Sequence, residues 1–405
     1  MARVLLLLPT ATYRAQDFLT AAETLGVEVI VASERRQALA GVMGERALRV
    51  DLRHPQGAAD AIVAAAERAP LDAVVAVDDQ GVLVAALAGS RLGVAHNPPE
   101  AVAATRDKAA LRRALEAAGV PQPAFREAGP HDDVTALARQ VGLPCVVKPV
   151  SLSASRGVLR ADDADAAAAA AEHVRAILCE DEGAGETLLV ERYLPGAEVA
   201  VEGLLRGGKL EVLAIFDKPD PMEGPTFEET LLVTPSRLPA STQAAVTATV
   251  ADAATALGLV EGPVHAEVRV SADGNVGVLE IAARSIGGLC SRALRFGLDL
   301  SLEEVILRHA LGLPLDALTA AFDASGVLML PVPRAGILAE VRAQDDARAV
   351  PGVAGLEITI ASGRPVRPLP EGDRYLGFVF ARAATPDQVE HALRSARDLL
   401  EVVIR

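Results

Sequence analysis

The 405-residue chain is too long for one ordinary hydrophobic core, which predicts two to four subdomains. Its composition is 51% hydrophobic but only 3% aromatic, and its abundance of alanine is typical of a helix-rich α/β protein. The formal net charge of −15 argues against a nucleic-acid groove, which needs a basic surface. No apolar run approaches the ~18 residues that span a bilayer, so we expect no membrane partner.

The cysteines and histidines form no metal-ligand pattern. There are three cysteines, widely spaced, and seven histidines, scattered without an HExxH motif. The apolar core of the opening MARVLLLLPT is too short for a signal peptide, so we interpret it as a buried strand. These features together predict a protein of the reducing cytoplasm that has no zinc site.

The first 105 residues alternate short apolar strands with amphipathic segments. VLLLL, QDFLTAAETLG and VEVIVAS form a strand–helix–strand unit, and LDAVVAVDD adds a further strand. This order predicts an open parallel sheet. PTATYR after the first strand lacks G-x-G-x-x-G, which disfavours a nicotinamide-binding site.

The next part of the chain contains a candidate phosphate site. A helix is predicted to begin at Arg106–Lys108, and the strand LPCVVKP carries Lys148 near its end. A lysine there can reach a phosphate as a point charge, while the backbone of the small-residue loop that follows can fold over it as an anion nest. Ser153, Ser155 and Arg156 add donors. A flexible solvent loop explains the Ser/Gly composition equally well.

The segment VERYLPGAEVAVEG is a candidate nucleotide site. It can offer backbone amides and an apolar side to a purine, with Glu198 accepting ribose hydroxyls; a strand and turn with surface acids is the alternative. Further on, GLLRGGKL nearly matches the P-loop G-x-x-x-x-G-K-[ST], but leucine replaces the hydroxyl residue and strands lie on both sides. We therefore predict a hairpin turn there.

Two strand-like runs, GPVHAEVRV and NVGVLEIAAR, flank Asp273-Gly274, a pair that favours a type I′ turn because both central residues need positive φ. This turn makes Glu267 face Glu280 directly on one side of the hairpin. Like charges so close repel each other, and oxygen ligands without soft ligands suit Mg²⁺ or Mn²⁺ completed by substrate phosphates. The alternative is a solvated face with an incidental glutamate pair balanced by Arg269.

Arg284 and the pair Gly287-Gly288 follow the second of these strands. A guanidinium and exposed backbone N–H groups are what a developing oxyanion needs. Together with the glutamate pair, these residues predict a platform for metal and phosphate.

A resemblance to a known family rests on seven segments in register: RDKAALRRALEAAGVPQP, LPCVVKP, SASRGV, VERYLPGAEVAVEG, GPVHAEV, LEIAARSIGG and RYLGFVFARAATPDQVEHALRSA. They resemble the ATP-grasp superfamily, and most of all its carboxylate–amine ligases, which include the L-amino acid (dipeptide) ligases. The resemblance implies an α/β ATP-grasp fold with α+β lobes, a Rossmann-like pre-ATP-grasp domain and a lid-like C-terminal subdomain. The implied domains are 1–105, 106–185, 186–315 and 316–405.

The resemblance also implies the site residues. The nucleotide contacts, with the phosphate contacts first and the adenine and ribose contacts after them, are Lys108, Lys148, Ser153, Ser155, Arg156, Gly157, Glu191, Tyr193, Leu194 and Glu198. The ligands of Mg²⁺ or Mn²⁺, followed by the residues at the reacting centre, are Glu267, Glu280, Arg284, Gly287 and Gly288. The residues on the substrate side are Glu229, His265 and Arg292.

Two positions depart from the family's pattern. Ala282 stands where the family usually has asparagine, so one metal ligand is absent and we expect a single tightly held metal. Leu232 stands where the dipeptide ligases tend to carry histidine, three residues after Glu229, which suggests an altered acceptor pocket. His265 is expected to assist a proton transfer or to be structural, and Arg292 to hold a substrate carboxylate or cap a helix.

These features predict ATP-dependent amide or peptide bond formation from a small-molecule carboxylate and amine. The carboxylate would attack the γ-phosphate of Mg·ATP to give an acyl phosphate and ADP, and the amine would then displace phosphate. The resemblance implies a homodimer. The alternatives are a purine-pathway or carboxylase-like ATP-grasp enzyme, and a non-catalytic ATP-binding regulatory protein, which Ala282 and Leu232 would favour.

Overall fold

The computed structural model describes residues 1–10, 12–35, 46–181, 185–315 and 318–405. The N-terminal elements are β1 Arg3–Leu7, α1 Ala15–Thr24, β2 Glu28–Ser33, β3 Ala47–Arg49, α2 Pro55–Ala66, β4 Ala73–Ala76, α3 Val82–Leu92 and α4 Pro99–Arg106. The four strands form a parallel sheet in the order β3–β2–β1–β4, which confirms the predicted open sheet.

Strand β1 is buried on both faces, as parallel strands usually are. Leu5 and Leu7 pack with Ile62 of α2 in the core on one face of the sheet. Val4 and Leu6 point the other way, into a core shared with later parts of the chain. This alternation follows from the two-residue period of a strand, and it fixes the N-terminal sheet against the rest of the molecule.

A second, antiparallel sheet follows in the order β5–β8–β6–β7. The elements of this part are α5 Lys108–Ala118, β5 Phe125–Ala128, α6 Val134–Val141, β6 Cys145–Pro149, β7 Leu159–Ala161, α7 Ala164–Leu178 and β8 Leu188–Arg192. Helices α6 and α7 cover one face, where Cys145 and Val147 are fully buried. Val146 and Lys148 alternate with them and face the opposite way, into a cavity. We call this sheet with α6 and α7 the small lobe.

The next elements begin the large sheet, and their bounds are β9 Ala197–Arg206, β10 Lys209–Asp217, β11 Leu231–Thr234, α8 Ala240–Leu257, β12 Gly262–Val270, β13 Val276–Ala282, β14 Arg295–Phe296, β15 Leu300–Ser301 and α9 Leu302–Ala310. GLLRGGKL forms the β9–β10 hairpin with Gly207 and Gly208 at the turn, which confirms that it is not a P-loop. Helices α5 and α8 cover one face of the large sheet, through Leu111, Leu115 and Val250 among others.

Among the C-terminal strands that the structure describes, three continue the large sheet and three form a separate small sheet. The elements are β16 Ala324–Leu330, β17 Gly336–Arg342, α10 Gln344–Arg348, β18 Val353–Ile358, β19 Pro365–Val366, β20 Gly377–Ala383, α11 Pro386–Leu399 and β21 Glu401–Ile404. Strand β16 pairs with β11, which gives the antiparallel order β13–β12–β9–β10–β11–β16–β20–β18. Strands β19, β17 and β21 form a small additional sheet.

The four-part division stays a proposal, and its boundary at residue 316 falls on 316–317, outside the described residues. Among the helices described, none combines the length and apolar character needed to cross a membrane.

Candidate active site

A cavity of about 380 Å³ lies between the small lobe, the large sheet and the carboxyl edge of the N-terminal sheet. All the predicted site residues line it except Arg156, Gly157 and Arg292. Those that line it are Lys108, Lys148, Ser153, Ser155, Glu191, Tyr193, Leu194, Glu198, Glu229, His265, Glu267, Glu280, Arg284, Gly287 and Gly288. Residues that are far apart in the chain therefore meet in one cleft.

The β12–β13 hairpin pairs Glu267 with Glu280, as predicted, but the predicted turn is wrong. Gly274 has φ +83° whereas Asp273 is not in the left-handed region, and Ser271 N–H donates to the Asn275 carbonyl. The loop is therefore longer by one residue than the expected two-residue turn. An extra residue in β13, Leu279, restores the register, because Val268 pairs with Val278 and Glu267 with Glu280.

The buried Arg112 of α5 supports this bulge. Its Nη2 donates to the Leu279 carbonyl at 2.7 Å and its Nη1 to the Val278 carbonyl at 3.3 Å. The same guanidinium binds Glu191, with Nε 2.7 Å from Oε1. Arg112 was not predicted as a site residue, and it links the position of Glu280 to that of the small lobe.

Lys108 and Lys148, the predicted phosphate contacts, both line the cavity. Lys108 Nζ donates to the Leu152 carbonyl at 2.6 Å and lies 3.7 Å from Glu280 Oε2. Lys148 Nζ lies 2.8 Å from Glu191 Oε2. The two ammonium groups and the Glu280 carboxylate thus converge where a phosphate chain and its metal would be held.

Glu191 was predicted to line an adenine site, and it does line the cavity, but its carboxylate is taken up by Arg112 and Lys148. Burial would raise the pKa of Glu191, and the two cations outweigh burial and lower it to about 2. The carboxylate is therefore ionised and positions Lys148.

The loop after β6 divides into two parts with different partners. Ala154 and Ser155 have φ of 57° and 55°, so the backbone reverses there. Ser153 and Ser155 line the cavity. Arg156 and Gly157, which were also predicted to contact phosphate, do not line the cavity, and their role stays a prediction. Arg156 Nε donates to the Glu371 carbonyl at 3.0 Å, and Gly157 N–H donates to the Pro370 carbonyl at 3.0 Å.

The part of the cavity around Tyr193 contains aromatic and charged groups. The Tyr193 ring stacks on Phe227 with centroids 6.3 Å apart, and Arg269 lies over the same Tyr193 ring at 5.3 Å. Arg269 Nε also lies 2.8 Å from Glu198 Oε2. The alternative in which Arg269 balances Glu267 and Glu280 on a wet surface is therefore wrong, since Arg269 is buried against Glu198.

Lys218 is the main residue that the sequence reasoning missed. It directly follows β10, its side chain is 2% exposed, and its Nζ contacts three carboxylates: Glu198 Oε1 at 2.7 Å, Glu267 Oε1 at 3.3 Å, and Glu229. The sequence signal was present, because a lysine at the end of the apolar run VLAIFDK repeats the pattern of LPCVVKP.

Glu202 was also missed, and it determines the state of His265. Glu202 is fully buried, accepts from Ile286 N–H at 3.0 Å and lies 3.2 Å from His265 Nδ1. Burial lowers the pKa of His265, but Glu202 and Glu267 outweigh it and raise the pKa to about 9. This pKa favours the imidazolium form of His265 at neutral pH, between Glu202 and Glu267, and the two expected roles, proton transfer and structure, stay predictions.

The part of the cavity next to Asp79 is lined by Arg284, Gly287 and Gly288. Arg284 Nε lies 3.4 Å from Asp79 Oδ1, at the edge of the N-terminal sheet. Gly288 has φ +60°, and a Cβ there would lie 2.8 Å from the Phe378 ring, so both backbone and space require glycine. Burial raises the pKa of the Cys290 thiol, which fits a packed residue and not a nucleophile.

Arg292, which was predicted to hold a substrate carboxylate or to cap a helix, does not line the cavity and pairs with two acids. Its Nε lies 2.9 Å from Asp17 Oδ2, and its guanidinium also pairs with Glu357. The two acids come from α1 and β18, which are far apart in the sequence. This side chain joins the N-terminal sheet to the C-terminal strands.

The donor set of the cavity fits a hard divalent cation. Glu267 and Glu280 are opposed, and their side chains are 26% and 32% exposed, towards the cavity. Both offer only oxygen, which suits Mg²⁺ or Mn²⁺ completed by phosphates and water. Ala282, on the same strand, is buried and offers no ligand atom. Glu198, Glu229 and Glu267 also have oxygens within 4.8 Å of one another, but Lys218 already lies among them.

Comparison with known proteins agrees with this fold. A family model of the ATP-grasp domain matches residues 141–293, one of the ATP-grasp N-terminal domain matches 19–96, and one of the L-amino acid ligase C-terminal domain 2 matches 328–405. The crystal structure of an L-amino acid ligase from Bacillus licheniformis superimposes with a TM-score of 0.82 at 24% identity, covering 100% of this chain and 99% of that chain. At this identity the superposition shows the fold.

The curated relatives are longer than the matched part of this chain. An uncharacterized protein of Sinorhizobium fredii is 28% identical over 307 residues, which are 75% of this chain and 62% of that protein. The alanine–anticapsin ligase of Bacillus subtilis is 27% identical over 259 residues, 59% of this chain and 54% of that enzyme. The chain thus spans between half and two thirds of their length. It contains ATP-grasp N-terminal and ATP-grasp domains and a C-terminal domain of the L-amino acid ligase type, and it is similar to the carboxylate–amine ligases named here.

Proposed function

We propose that the protein joins a carboxylate, an amino acid in the first instance, to an amine through an acyl phosphate, with release of ADP and phosphate. The observation that carries this proposal is the opposed pair Glu267–Glu280 with Lys108 3.7 Å from Glu280, in the same cavity as Lys148 and Arg284. A nucleotide site alone has no need of a guanidinium placed beyond the metal ligands.

Each of these side chains has a separate task in phosphoryl transfer. Lys108 and Lys148 hold the phosphate chain, and Glu191 and Arg112 keep Lys148 in place. A divalent metal held by Glu267 and Glu280 would neutralise charge on the β- and γ-phosphate oxygens. Because such transfers depend chiefly on positioning and charge neutralisation, no nucleophilic side chain is required.

The second half of the reaction takes place beside Arg284 and the backbone at Gly287 and Gly288. When the amine attacks the acyl phosphate, negative charge develops on the carbonyl oxygen, and Arg284 stabilises it. Asp79, 3.4 Å from Arg284, orients the guanidinium. Water is excluded by the apolar wall of the cavity, which includes Phe378.

The remaining part of the cavity lining combines apolar and charged residues. Its apolar and aromatic residues include Leu232, Met329, Phe378, Tyr13 and Tyr375, and its charged residues are the acids Asp78, Asp79, Glu229 and Asp373 together with Arg374. This lining supports substrates that carry an ammonium group and an apolar side chain. Leu232 stands among the wall residues, so the acceptor pocket has no imidazole at that position.

The experiment is phosphate release from Mg·ATP across a matrix of amino acids, offered singly and in pairs. Release that needs a pair of amino acids, and disappears in Glu280→Gln, is the expected result. The condensed product is identified by mass spectrometry in the active wells. Release that is equal in Glu280→Gln and wild type would contradict the proposal.

One observation favours a non-catalytic ATP-binding protein, namely the missing metal ligand at Ala282. That alternative predicts tight Mg·ATP binding by calorimetry together with no phosphate release for any pair. A purine-pathway or carboxylase-like enzyme would instead release phosphate with a non-amino-acid carboxylate or bicarbonate.

We also propose a reducing cytoplasmic location and a homodimer. Cys145, Cys179 and Cys290 are all free thiols, which supports the first. Sedimentation analysis of the purified protein tests the second.

A further inference from the structure

The strongest feature outside the expected ATP-grasp site is the ammonium group of Lys218 among three carboxylates. Its Nζ lies 2.7 Å from Glu198 Oε1 and 3.3 Å from Glu267 Oε1, and it also contacts Glu229. The three carboxylates come from β9, β12 and the segment before β11, so one cation joins three parts of the large sheet.

This ammonium occupies the position that a second metal ion would take. The oxygens of Glu198, Glu229 and Glu267 lie within 4.8 Å of one another, a spacing that could hold a divalent ion. A metal bound by those oxygens would lie at about 2.0–2.6 Å from each, in the space that Nζ fills and against its charge. Lys218 is 2% exposed at its side chain, and its backbone N–H bonds the Glu198 carbonyl at 3.3 Å, so it is built into the sheet.

We propose that Lys218 is a fixed internal cation that holds these three carboxylates and restricts the protein-bound divalent metal to Glu267 and Glu280. Lys218 is thus a positioning residue. It aligns Glu198 on the nucleotide side, Glu267 on the metal side and Glu229 on the acceptor side with one charged group. The inference rests on the proposed function for the roles of those three acids, but not for the geometry.

Ala282 is the second observation that agrees with a single metal. Strand β13 provides Glu280 and then the buried methyl group of Ala282, so the side chain at position 282 cannot bind a second metal ion. One chain position thus lacks a metal ligand while another supplies a permanent cation. The two features compensate each other in charge, since an ammonium replaces one charge of the absent ion.

The test measures how many Mn²⁺ ions bind to the nucleotide-free protein. Binding is detected as a decrease in the electron paramagnetic resonance signal of free Mn²⁺. Lys218→Met is expected to bind one Mn²⁺ per chain more than the wild type. Lys218→Arg keeps the wild-type number, because it restores the positive charge. Lys209→Met is the matched control, since Lys209 is the exposed lysine at the start of the strand that Lys218 directly follows.

A second variant keeps the proposal testable where Lys218→Met does not fold. Glu229→Gln removes a carboxylate that binds Lys218 and no metal, so its Mn²⁺ number is expected to equal that of the wild type. A lower number in Glu229→Gln, or the same number in folded Lys218→Met and wild type, would overturn the proposal.

Metal binding also separates this inference from the proposed function. Mn²⁺ titrations need no substrate, so they give the same result whether or not a substrate pair is found. Where a pair is found, Lys218→Met is expected to change the Mg²⁺ dependence of the rate from one binding step to two, and Lys218→Arg to restore one step. Unchanged single-step dependence in Lys218→Met would count against the internal cation.

Discussion

Arg112 and Glu191 form a bidentate ion pair beneath the cavity, with Nε 2.7 Å from Oε1 and Nη2 3.2 Å from Oε2. The two side chains are 1% and 4% exposed. The arginine belongs to α5 and the glutamate to β8, and the same guanidinium binds two carbonyls of β13. This pair therefore fixes the small lobe, helix α5, which carries Lys108, and the β12–β13 hairpin relative to one another.

Loss of this arginine is expected to destabilise the protein strongly. Arg112→Met leaves Glu191 buried and short of a partner, and breaking a buried pair in this way costs about 3–5 kcal/mol. The measurement is chemical denaturation. Arg113→Met is the control, because Arg113 lies next to Arg112 in the same helix and forms an exposed pair with Glu127, worth about 1 kcal/mol or less. Similar losses in the two variants would contradict the structural role of Arg112.

Lowering the pH is expected to remove the stabilisation that ionised Glu191 contributes to the folded protein. Its pKa is about 2 in the folded protein, below the usual 4.5, so the unfolded chain binds more protons between these values. The stabilisation is therefore complete above about pH 4.5 and is lost as the pH falls towards 2. The measurement compares unfolding midpoints of wild type and Glu191→Gln, and the gap should narrow over this range. A gap that stays constant down to pH 2.5 would refute the assignment.

Arg284 is expected to act on the rate and not on nucleotide binding. Removing one charged stabiliser of a developing oxyanion costs about 10²–10³-fold in kcat. Arg284→Met should therefore lose kcat by that factor while the Kd for an ATP analogue stays near the wild-type value. Arg295→Met is the control, because Arg295 pairs with Asp299 outside the cavity. Equal losses of kcat and nucleotide affinity in Arg284→Met would indicate a binding role instead.

Two neighbouring leucines of β11, Leu231 and Leu232, allow an effect on substrate selection to be distinguished from an effect on stability. Leu232 lines the cavity, whereas Leu231 points into the C-terminal core, and both are 1% exposed. Each change to alanine is expected to cost about 2–5 kcal/mol. Only Leu232→Ala should alter which amino acids are accepted, with a lower KM for bulkier ones and an unchanged KM for ATP. The check is the substrate matrix run on both variants at a temperature where both are folded.

Local sequence patterns were sufficient for the elements and for much of the site. The facing of Glu267 and Glu280 was predicted correctly although the turn was not, because the longer loop and the bulge at Leu279 offset each other. Lys148 was found from its place at the end of a buried strand. Such features depend on residues that are near in sequence, where period and turn chemistry are informative.

The residues and contacts that were missed depend on distant partners. Lys218 gains its meaning from Glu198, Glu229 and Glu267, which are brought to it by three other segments. Arg156 bonds Glu371, 215 residues away, so nothing in the loop itself indicated this contact. The pairing of β11 with β16, which merges three of the C-terminal strands into the large sheet, is likewise a long-range event.

The segment from Pro368 to Tyr375 touches both sides of the cleft. Its Glu371 bonds His173 at 2.7 Å, and Arg367 just before it pairs with Glu180 at 2.9 Å. Further along, Asp373, Arg374 and Tyr375 line the cavity. This segment therefore contacts the small lobe through two solvent-accessible side-chain pairs and through the less exposed bonds from Arg156 and Gly157.

Exposed ion pairs of this kind are each worth about 1 kcal/mol or less and are screened by salt. The buried Arg112–Glu191 pair, in contrast, is shielded from solvent. Salt is therefore expected to weaken the ion pairs between the small lobe and segment 368–375 and to leave the attachment of the lobe to α5 through Arg112 unchanged. The small lobe thus has one boundary whose strength depends on the ionic strength of the solution and another whose strength does not.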